Sequence, residues 1–441
     1  MTLLQKRFIY SGFFLLFAIS TPLLIFYTAG YSYNTKRGAL QNTGLIMVEA
    51  KPKSLNILLN NILVAQQTPA RIKDLTPGKY LLTLAKDNYY PWEKNITITA
   101  DQANFIQNIT LIKKNIPQQL FEAEESNIKP LFNANKILYL AKAKTAPELI
   151  IYDLTNNQTQ KIYTFKTGEK IELLAVAPSE NKILLKNSLN NYSIFNLSTN
   201  EIFNLTTLIG KTSTIKWHLS DDNIVYFTNS QGLWQADLFN GKKILVESVT
   251  NLSDFWLTEK QKITIFKVND RNLFKYQDLL TNWQQVGTIK NNLKIWGVWQ
   301  NKIIFKDPIN QEVLVADIFS TEKQQRLMAK NLIWWDDHTL LTYTDWEISF
   351  YSLTEEKSYL INRYGEKIQA LTTLDQNRRL VLVLNNNLQL MELADTERLN
   401  NLDLLKTEKI SNLSVDLTGK NLFFSAQIGQ QSGYYLLNLL D

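Results

Sequence analysis

The sequence lacks cysteine altogether and has only two histidines among its 441 residues. Without cysteine the chain cannot form disulfide bonds, a thiolate metal site or a cysteine nucleophile. His218 and His338 alone cannot supply the three histidine ligands of a catalytic zinc site either. We therefore predict no metal site and no cofactor, and no set of catalytic residues stands out.

Other motifs of chemistry are missing as well. The sequence contains no glycine-rich phosphate loop, no Gly-x-Ser-x-Gly segment and no Asp-x-Asp-x-Asp-Gly calcium loop. A phosphate-binding or serine-hydrolase mechanism is therefore not indicated.

Basic charge is concentrated at the N-terminus. The net charge is +6, from 47 Lys and Arg against 41 Asp and Glu, and four of the excess charges precede the first acidic residue, Glu49. These four are Lys6, Arg7, Lys36 and Arg37. A nucleic-acid-binding protein would be expected to cluster its basic residues in a patch or stripe, whereas here they alternate with acids, so we predict no nucleic-acid partner.

A long apolar run follows the first basic pair. Residues 8–30 read FIYSGFFLLFAISTPLLIFYTAG and contain no charged side chain. At 1.5 Å rise per residue such a helix is roughly 34 Å long, enough for a hydrocarbon core of about 30 Å. We predict that residues 8–30 form a single transmembrane anchor in the cytoplasmic membrane, with the lipid bilayer as one partner.

The flanking charges set the expected orientation. Lys6 and Arg7 favour an N-terminus inside, so residues 1–7 would be a short cytoplasmic tail and the bulk of the chain would be extracytoplasmic. The alternatives are a cleaved signal peptide, whose apolar core normally has only 7–15 residues, and a buried helix of a soluble protein. The length of the run and the poor cleavage site at Thr28-Ala29-Gly30 favour the anchor.

Residues 31–43 form a polar linker. After it, apolar residues recur at every second position, as in a β-strand. Short alternating runs begin at Gly44, Leu55, Tyr80 and Asn95, and turn signals such as Thr76-Pro77-Gly78 separate them. This pattern predicts a small antiparallel β-sandwich over residues 44–112.

The same segment resembles the PEGA domain. The resemblance depends on the glycine-led first strand, Pro52, the Asn60-Asn61 hairpin, Thr68-Pro69, Leu75-x-Pro77-Gly78-x-Tyr80 and Asp87-Asn88-Tyr89-Tyr90-Pro91. It implies an extracytoplasmic spacer or a module that binds wall material, with no catalytic residues to transfer.

A repeat fills residues 116–441. Short apolar strands begin 37–46 residues apart, at Ile137, Ile183, Ile224, Ile263, Ile303, Leu340, Leu380 and Leu422. A pitch near 40 with up to four strands per unit predicts a β-propeller. The chain is thus mainly all-β. We expect eight blades, or seven if the irregular first repeat does not form a blade. Residues 117–122 could close the ring by pairing with the last unit.

A second column lies seven residues before these strands. It consists of Val176, Trp217, Trp256, Trp296, Ile333, Thr373 and Val415. This register resembles the TolB-type propeller repeat, although the Ser-Pro-Asp-Gly signature of that repeat is nowhere intact, so the resemblance implies architecture only. We expect the three tryptophans of the column to pack between blades.

Two acidic turns contain the histidines. His218 precedes Asp221-Asp222 and His338 follows Asp336-Asp337, but the two turns belong to different units. We expect them to be solvated turn residues. The repeated Asp153, Asp237, Asp278 and Asp317 are expected to cap turns, because an Asp side chain accepts bonds from backbone N–H groups two residues on.

Four tryptophans lie outside the column: Trp299, Trp334, Trp335 and Trp346. Exposed aromatic clusters are typical of surfaces that bind proteins or sugars. We predict that these four form a partner-binding rim on the propeller.

Together these features predict a membrane-anchored protein of the cell envelope whose propeller binds or scaffolds an envelope protein or a cell-wall polymer. The alternative is a propeller hydrolase or lyase that acts on envelope polysaccharide, which carboxylates converging at one mouth of the ring would favour. Fold analogy alone cannot choose the ligand.

Overall fold

A computed structural model of the chain gives two compact units. The first contains Met1–Ile116 together with Leu437–Asp441, and the second contains Pro117–Leu436. The structure describes residues 3–28, 31–34, 39–122, 127–142, 146–212, 214–248, 250, 252–257, 263–268, 273–278, 284–288, 293–307, 309–317, 324–374, 379–393 and 400–441.

The first unit begins with helix α1 (Leu3–Thr28). Within the described residues, no helix is both long enough and apolar enough to cross a membrane, so the structure does not support the transmembrane anchor predicted for residues 8–30. The expected linker also differs, because β1 (Tyr31–Asn34) and β2 (Ala39–Asn42) pair as an antiparallel hairpin.

Seven strands of the first unit form a β-sandwich. They are β3 (Gly44–Lys51), β4 (Ser54–Leu59), β5 (Ile62–Gln67), β6 (Ala70–Leu75), β7 (Gly78–Ala85), β8 (Trp92–Ile98) and β9 (Ala103–Thr110). One sheet has the order β6-β3-β9 and the other β5-β4-β7-β8. Alternate residues of β3 point inward, so that Ile46, Val48 and Ala50 pack with Leu82 and Leu84 of β7.

One pairing departs from the antiparallel sandwich predicted from the sequence. Strand β3 pairs with β9 in parallel, with Leu45 opposite Ala103 and Lys51 opposite Thr110. Parallel neighbours need a long connection, and here strands β4 to β8 provide it.

The last residues of the chain complete this unit. The Asp441 carboxylate lies 2.7 Å from the Lys113 ammonium and accepts a 2.6 Å hydrogen bond from the Tyr89 hydroxyl. The backbone N–H of Lys113 also donates to the Leu439 carbonyl at 2.9 Å. These bonds attach Leu437–Asp441 to the end of the sandwich segment.

The second unit contains eight four-stranded antiparallel sheets in its described part, which we call blades 1 to 8. Strand β10 (Gln118–Phe121) comes first and belongs to blade 8. Blade 1 consists of β11 (Ile128–Leu131), β12 (Lys136–Lys142), β13 (Pro147–Asp153) and β14 (Gln158–Thr164). Blade 2 consists of β15 (Ile171–Val176), β16 (Lys182–Asn187), β17 (Tyr192–Asn196) and β18 (Glu201–Asn204), and helix α2 (Leu205–Ile209) follows it. Blade 3 consists of β19 (Thr214–Trp217), β20 (Ile224–Asn229), β21 (Gly232–Asp237) and β22 (Lys242–Ser248).

Blade 4 consists of β23 (Leu252–Leu257), β24 (Ile263–Val268), β25 (Leu273–Asp278) and β26 (Gln284–Thr288). Blade 5 consists of β27 (Lys294–Trp299), β28 (Lys302–Asp307), β29 (Glu312–Asp317) and β30 (Gln324–Met328). Blade 6 consists of β31 (Asn331–Trp334), β32 (Thr339–Tyr343), β33 (Glu347–Ser352) and β34 (Lys357–Arg363). Blade 7 consists of β35 (Ile368–Leu374), β36 (Arg379–Leu384), β37 (Asn387–Glu392) and β38 (Asn400–Lys406). Blade 8 consists of β39 (Lys409–Val415), β40 (Asn421–Ile428) and β41 (Gln431–Asn438), with β10 as its fourth strand.

The blades form a propeller-like ring. Buried apolar clusters join consecutive blades from blade 1 to blade 7, and β35 of blade 7 contacts β39 of blade 8. A further cluster joins blade 8 back to blade 1. First strands of neighbouring blades contact each other, as β23 contacts β27, so the first strand of each blade lies nearest the centre. The apolar strand that recurs in the sequence is therefore the second from the centre, and both of its faces are buried in the blades whose side chains the structure describes.

Strand β10 closes the ring, as the sequence predicts. Gln118 and Gln119 pair with Leu436 and Tyr435 of β41. The Phe121 ring stacks on Tyr139 of blade 1 with centroids 3.9 Å apart, and lies 5.6 Å from the Tyr434 ring of blade 8. A closed ring leaves no open sheet face between its last and first blades.

Asparagine takes the place of glycine at many turns. The chain has only 15 glycines, and the described residues include 17 non-glycine positions with positive φ, of which 11 are asparagine. Asn tolerates the left-handed region better than other residues with a Cβ atom. This use of Asn explains how so many tight turns form with little glycine.

Removing the aromatic ring at the closure should destabilise the second unit. We expect Phe121→Ala to lower its free energy of unfolding by about 3 kcal/mol, because a buried ring is lost and a cavity remains. Denaturant unfolding of the full chain would measure this. The control is Phe239→Ala, because Phe239 is 89% exposed and its loss should change stability by less than about 0.5 kcal/mol. Equal effects of the two changes would show that Phe121 does not hold the ring closed.

The Asp441 contacts predict a pH dependence for the first unit. The Lys113 ammonium and the Tyr89 hydroxyl hold the pKa of the Asp441 carboxyl below its usual value. A lowered pKa stabilises the fold above the unfolded pKa of about 3.9, and this stabilisation is lost as the pH falls through the folded pKa. Because Asp441 is half-exposed, we expect Asp441→Asn to cost at most about 1 kcal/mol at pH 7.

The measurement is unfolding of the first unit at several pH values. The difference between Asp441→Asn and the unmodified chain should shrink as the pH is lowered towards 2, whereas Asp87→Asn, at an exposed position of the same unit, should show no such trend. A difference that stays constant across this range would contradict the assignment.

Candidate functional site

Trp299 is positioned by a tight turn in blade 5. It ends the innermost strand β27 and pairs with Lys302 across a two-residue turn. Gln300 in this turn has a left-handed φ of 49°, a conformation that residues with a Cβ atom adopt only when the surrounding structure imposes it. The turn leaves the Trp299 side chain half-buried at the end of the blade.

Trp334 occupies the equivalent end of the innermost strand of blade 6. Its ring lies 5.5 Å from the Trp296 ring of blade 5. A Cβ atom at Gly297 would lie only 3.4 Å from the Trp334 ring, so the glycine allows the indole to lie close to strand β27. Trp334 thus packs across the boundary between blades 5 and 6.

The turn after Trp334 brings an aromatic residue and two acids together. The backbone N–H of Trp335 donates to the Thr339 carbonyl at 3.0 Å. The Trp335 ring packs on the Phe350 ring with their centroids 4.8 Å apart. The Asp336 carboxylate accepts a 2.9 Å bond from the His338 N–H and lies 3.3 Å from the His338 Nδ1 atom. Asp336 and Asp337 are both exposed.

These side chains line one shallow, open recess, which we call the tryptophan recess. Its lining residues are Trp299, Trp334, Trp335, Asp336 and Asp337, and its volume is about 350 Å³. It lies on the face of the ring where the first and second strands of each blade are joined. Two neighbouring blades therefore contribute to one concave surface of indole rings and carboxylates.

Trp346 lies elsewhere. It occupies the turn between β32 and β33 and is 52% exposed. Successive turns of an antiparallel sheet alternate between its two ends, so this turn is at the opposite end of blade 6 from the turn at Trp335. The structure therefore brings together three of the four tryptophans predicted as a rim, and not Trp346.

The Asp336 carboxyl is held in its charged form. Partial burial acts to raise its pKa, but hydrogen bonds from the backbone N–H of His338 and from Thr339, with the nearby His338 ring, outweigh burial and lower the pKa overall. The recess therefore carries negative charge at neutral pH.

The tryptophans of the repeat column have a packing role, as predicted. Trp217 is buried between blades 2 and 3, and Trp256 and Trp296 are half-buried against the clusters around blade 5. The two histidines do not meet: His218 lies in blade 3, where its Nδ1 accepts the Ser220 N–H at 3.2 Å, and His338 lies in blade 6.

Asp153 and Asp237 cap turns as predicted. Asp153 accepts the Thr155 N–H at 2.8 Å and Asp237 accepts the Phe239 N–H at 2.9 Å. Asp317 accepts a 2.7 Å bond from the Asn301 side chain, and the turn that it is predicted to cap lies outside the described residues. The side chain of Asp278 lies outside the described residues.

Some turn acids join neighbouring blades, which the sequence does not reveal. Asp222 of blade 3 accepts bonds from the N–H and hydroxyl of Ser179 in blade 2. Glu180 of blade 2 accepts bonds from Asn133 and the Ala134 N–H in blade 1 at 3.0 and 3.1 Å. Through these bonds the carboxylates of Asp222 and Glu180 join neighbouring blades.

An internal ion pair shows how this ring holds a cation. The Lys216 ammonium lies 2.9 Å from the Asp254 carboxylate, and 4.9 Å and 5.4 Å from the Phe255 and Trp256 ring centroids. Asp254 is buried and also accepts the Ile295 N–H at 3.1 Å. This arrangement links blades 3, 4 and 5.

A second cavity, of about 260 Å³, lies between blades 1 and 2. Tyr163, Lys166, Glu169, Lys186 and Asn187 are among its lining residues. Glu169 accepts the Lys166 N–H at 3.2 Å, and the Asn187 side chain accepts two backbone N–H groups of its own turn. Part of its polar lining is thus already used by the fold.

Among the described residues, no group of three or more His, Asp or Glu side chains could hold a metal ion. The chemistry of the tryptophan recess is that of a binding surface, in which indole faces offer contact area and carboxylates offer charge.

Residues 43–114 match the PEGA domain family. The first unit therefore contains a PEGA domain, which confirms the resemblance drawn from the sequence. A comparison with curated proteins found no match.

Several solved structures are similar to the chain at low identity. The C-terminal WD40 domain of Sif2 has a TM-score of 0.45 and 10% identity, over 73% of this chain and 98% of its own. A chain of the mitotic checkpoint complex has a TM-score of 0.42 and 9% identity, over 74% and 92%. Porphyromonas gingivalis dipeptidyl peptidase 4 has a TM-score of 0.49 and 9% identity, over 73% and 58%. These similarities say nothing about function. The assignment of a ring of blades depends on the strand pairing described above.

Proposed function

We propose that the protein is a membrane-attached scaffold of the cell envelope whose ring binds an envelope protein or a cell-wall polymer at the tryptophan recess. The observation that carries this proposal is the recess itself, where Trp299, Trp334 and Trp335 line one concave surface. Tryptophan is enriched among the residues that dominate binding energy, and such residues lie in pockets.

The PEGA domain supports a place in the envelope. The family resemblance implies an extracytoplasmic spacer or a module that binds wall material. A spacer followed by a ring suits presentation of a binding surface away from a membrane. The TolB-like register of the repeat agrees with this architecture and stays a prediction.

The N-terminal segment supports membrane attachment. Residues 8–30 carry no charge, and Phe13, Phe14 and Phe17 of α1 are 64–74% exposed in the structure. Exposed apolar area costs about 25 cal/mol per Å² in water, and large apolar patches mark contact with a membrane or a partner. We infer attachment through this segment with the N-terminus inside and the bulk of the chain outside the cytoplasm.

Membrane attachment is tested by alkaline carbonate extraction of cells that express the full chain. We expect the chain to stay in the membrane pellet, and deletion of residues 2–30 to release it. Protease added outside the cytoplasmic membrane should degrade the ring. Extraction of the full chain by carbonate, or protection of the ring from protease, would contradict the inferred placement.

Binding is tested with the detergent-solubilised full chain immobilised on beads. Purified wall polymer and solubilised envelope are passed over it, and polymer length is followed in the same samples. We expect retention without shortening, and about tenfold weaker retention for Trp299→Ala and Trp335→Ala, because loss of a hot-spot residue costs more than 1 kcal/mol. The control is Trp346→Ala, an exposed tryptophan outside the recess, which should bind normally.

Other outcomes would decide against the proposal. Equal retention by all three variants would remove the recess as the binding surface. Shortened polymer would replace scaffolding by a hydrolase or lyase activity, and the carboxylates of the ring would then become its candidates.

A further inference from the structure

The tryptophan recess combines two features that each favour a cation. The faces of indole rings carry negative electrostatic potential and attract ammonium and guanidinium groups, with tryptophan the most effective aromatic residue. Asp336 and Asp337 add carboxylates to the same lining. A neutral sugar would use the ring faces but would gain little from two charged groups at the edge.

The charges around the recess point the same way. Among the residues that the structure describes, neither lysine nor arginine lines the recess. His338 lies beside it, with its Nδ1 atom 3.3 Å from the Asp336 carboxylate, so two carboxylates of the recess face this single imidazole. An anionic ligand would therefore be repelled.

The ring already holds one cation by this chemistry. Lys216 lies between the Asp254 carboxylate and the rings of Phe255 and Trp256, with a 2.9 Å ion pair and ring distances of 4.9 and 5.4 Å. That internal ammonium occupies an aromatic and carboxylate environment like that of the recess. The recess offers the same groups to a ligand from outside.

We propose that the tryptophan recess binds an alkylammonium group, with indole rings around the cation and carboxylates beside it. The recess volume of about 350 Å³ far exceeds the ~10–15 Å³ that a cavity needs to hold one water molecule on the same measure, so a substituted ammonium group fits. This inference rests on the proposed function, because it names the ligand class of the same recess.

The first test compares a cation with its neutral isostere. Choline and 3,3-dimethyl-1-butanol have nearly the same shape, but only choline is charged. We expect calorimetric titration of the detergent-solubilised full chain to show choline binding at least about tenfold more tightly, a difference of about 1.4 kcal/mol. Equal affinities, or no choline binding up to the highest concentration tested, would overturn the inference.

The second test removes the carboxylates while keeping the turn. In Asp336→Asn the amide oxygen can still accept the His338 N–H, so the combined variant Asp336→Asn with Asp337→Asn should fold normally. We expect about tenfold weaker choline binding and unchanged binding of the neutral alcohol. The charge-matched control is Glu201→Gln with Glu408→Gln, which removes two exposed carboxylates elsewhere on the ring and should leave choline affinity unchanged.

The source of the ammonium group is then distinguished with larger ligands. An oligolysine peptide represents a protein partner and a glucosamine oligomer represents an amino-bearing polymer, and each is compared with its N-acetylated form. Stronger retention of either charged form supports the inference and identifies its source. If acetylation does not weaken binding while Trp335→Ala does, the recess binds its ligand without using the cation, and the proposed function survives without this inference. If neither acetylation of the ligand nor Trp335→Ala weakens binding, both this inference and the proposed function are wrong.

Discussion

The pairing of β10 with β41 is the constraint on which the ring depends. Every other blade is built from four consecutive strands, so its hydrogen bonds form locally. Blade 8 needs a strand from the other end of the unit, and without it the last sheet would keep an unpaired edge. Phe121 reinforces the closure, because its ring lies between Tyr139 of blade 1 and Tyr434 of blade 8. This joint connects the last blade to the first, while separate apolar clusters join the blades between them.

Closure also places the candidate site. The innermost strands of neighbouring blades end on the same face of the ring, so Trp299 and Trp334 meet although a whole repeat separates them in sequence. Trp296 and Trp334 are 5.5 Å apart, which ties the recess to the core between blades 5 and 6. The surface that we propose for binding is therefore held by packing between blades 5 and 6.

The sequence predicts the repeated architecture because the second strand of each blade is a short apolar run, and in the blades with described side chains this strand is buried on both faces. The PEGA domain is predicted from local turn signals, whereas the closing strand is predicted because a ring of blades needs its two ends to pair. The parallel pairing of β3 with β9 cannot be predicted in this way, because no turn connects these two strands directly. The bonds from Asp222 and Glu180 to neighbouring blades are hidden too, since both residues look like ordinary turn acids. The separation of Trp346 from the other three tryptophans depends on which end of a blade each turn occupies.

Hydrogen exchange measured on the full chain, with and without bound wall polymer or protein partner, tests the central claim most directly. The account predicts that binding slows exchange in the two segments that form the tryptophan recess, residues 299–302 and 334–339, with little change elsewhere in the ring. Protection confined to other blades, for example around the cavity between blades 1 and 2, would contradict it.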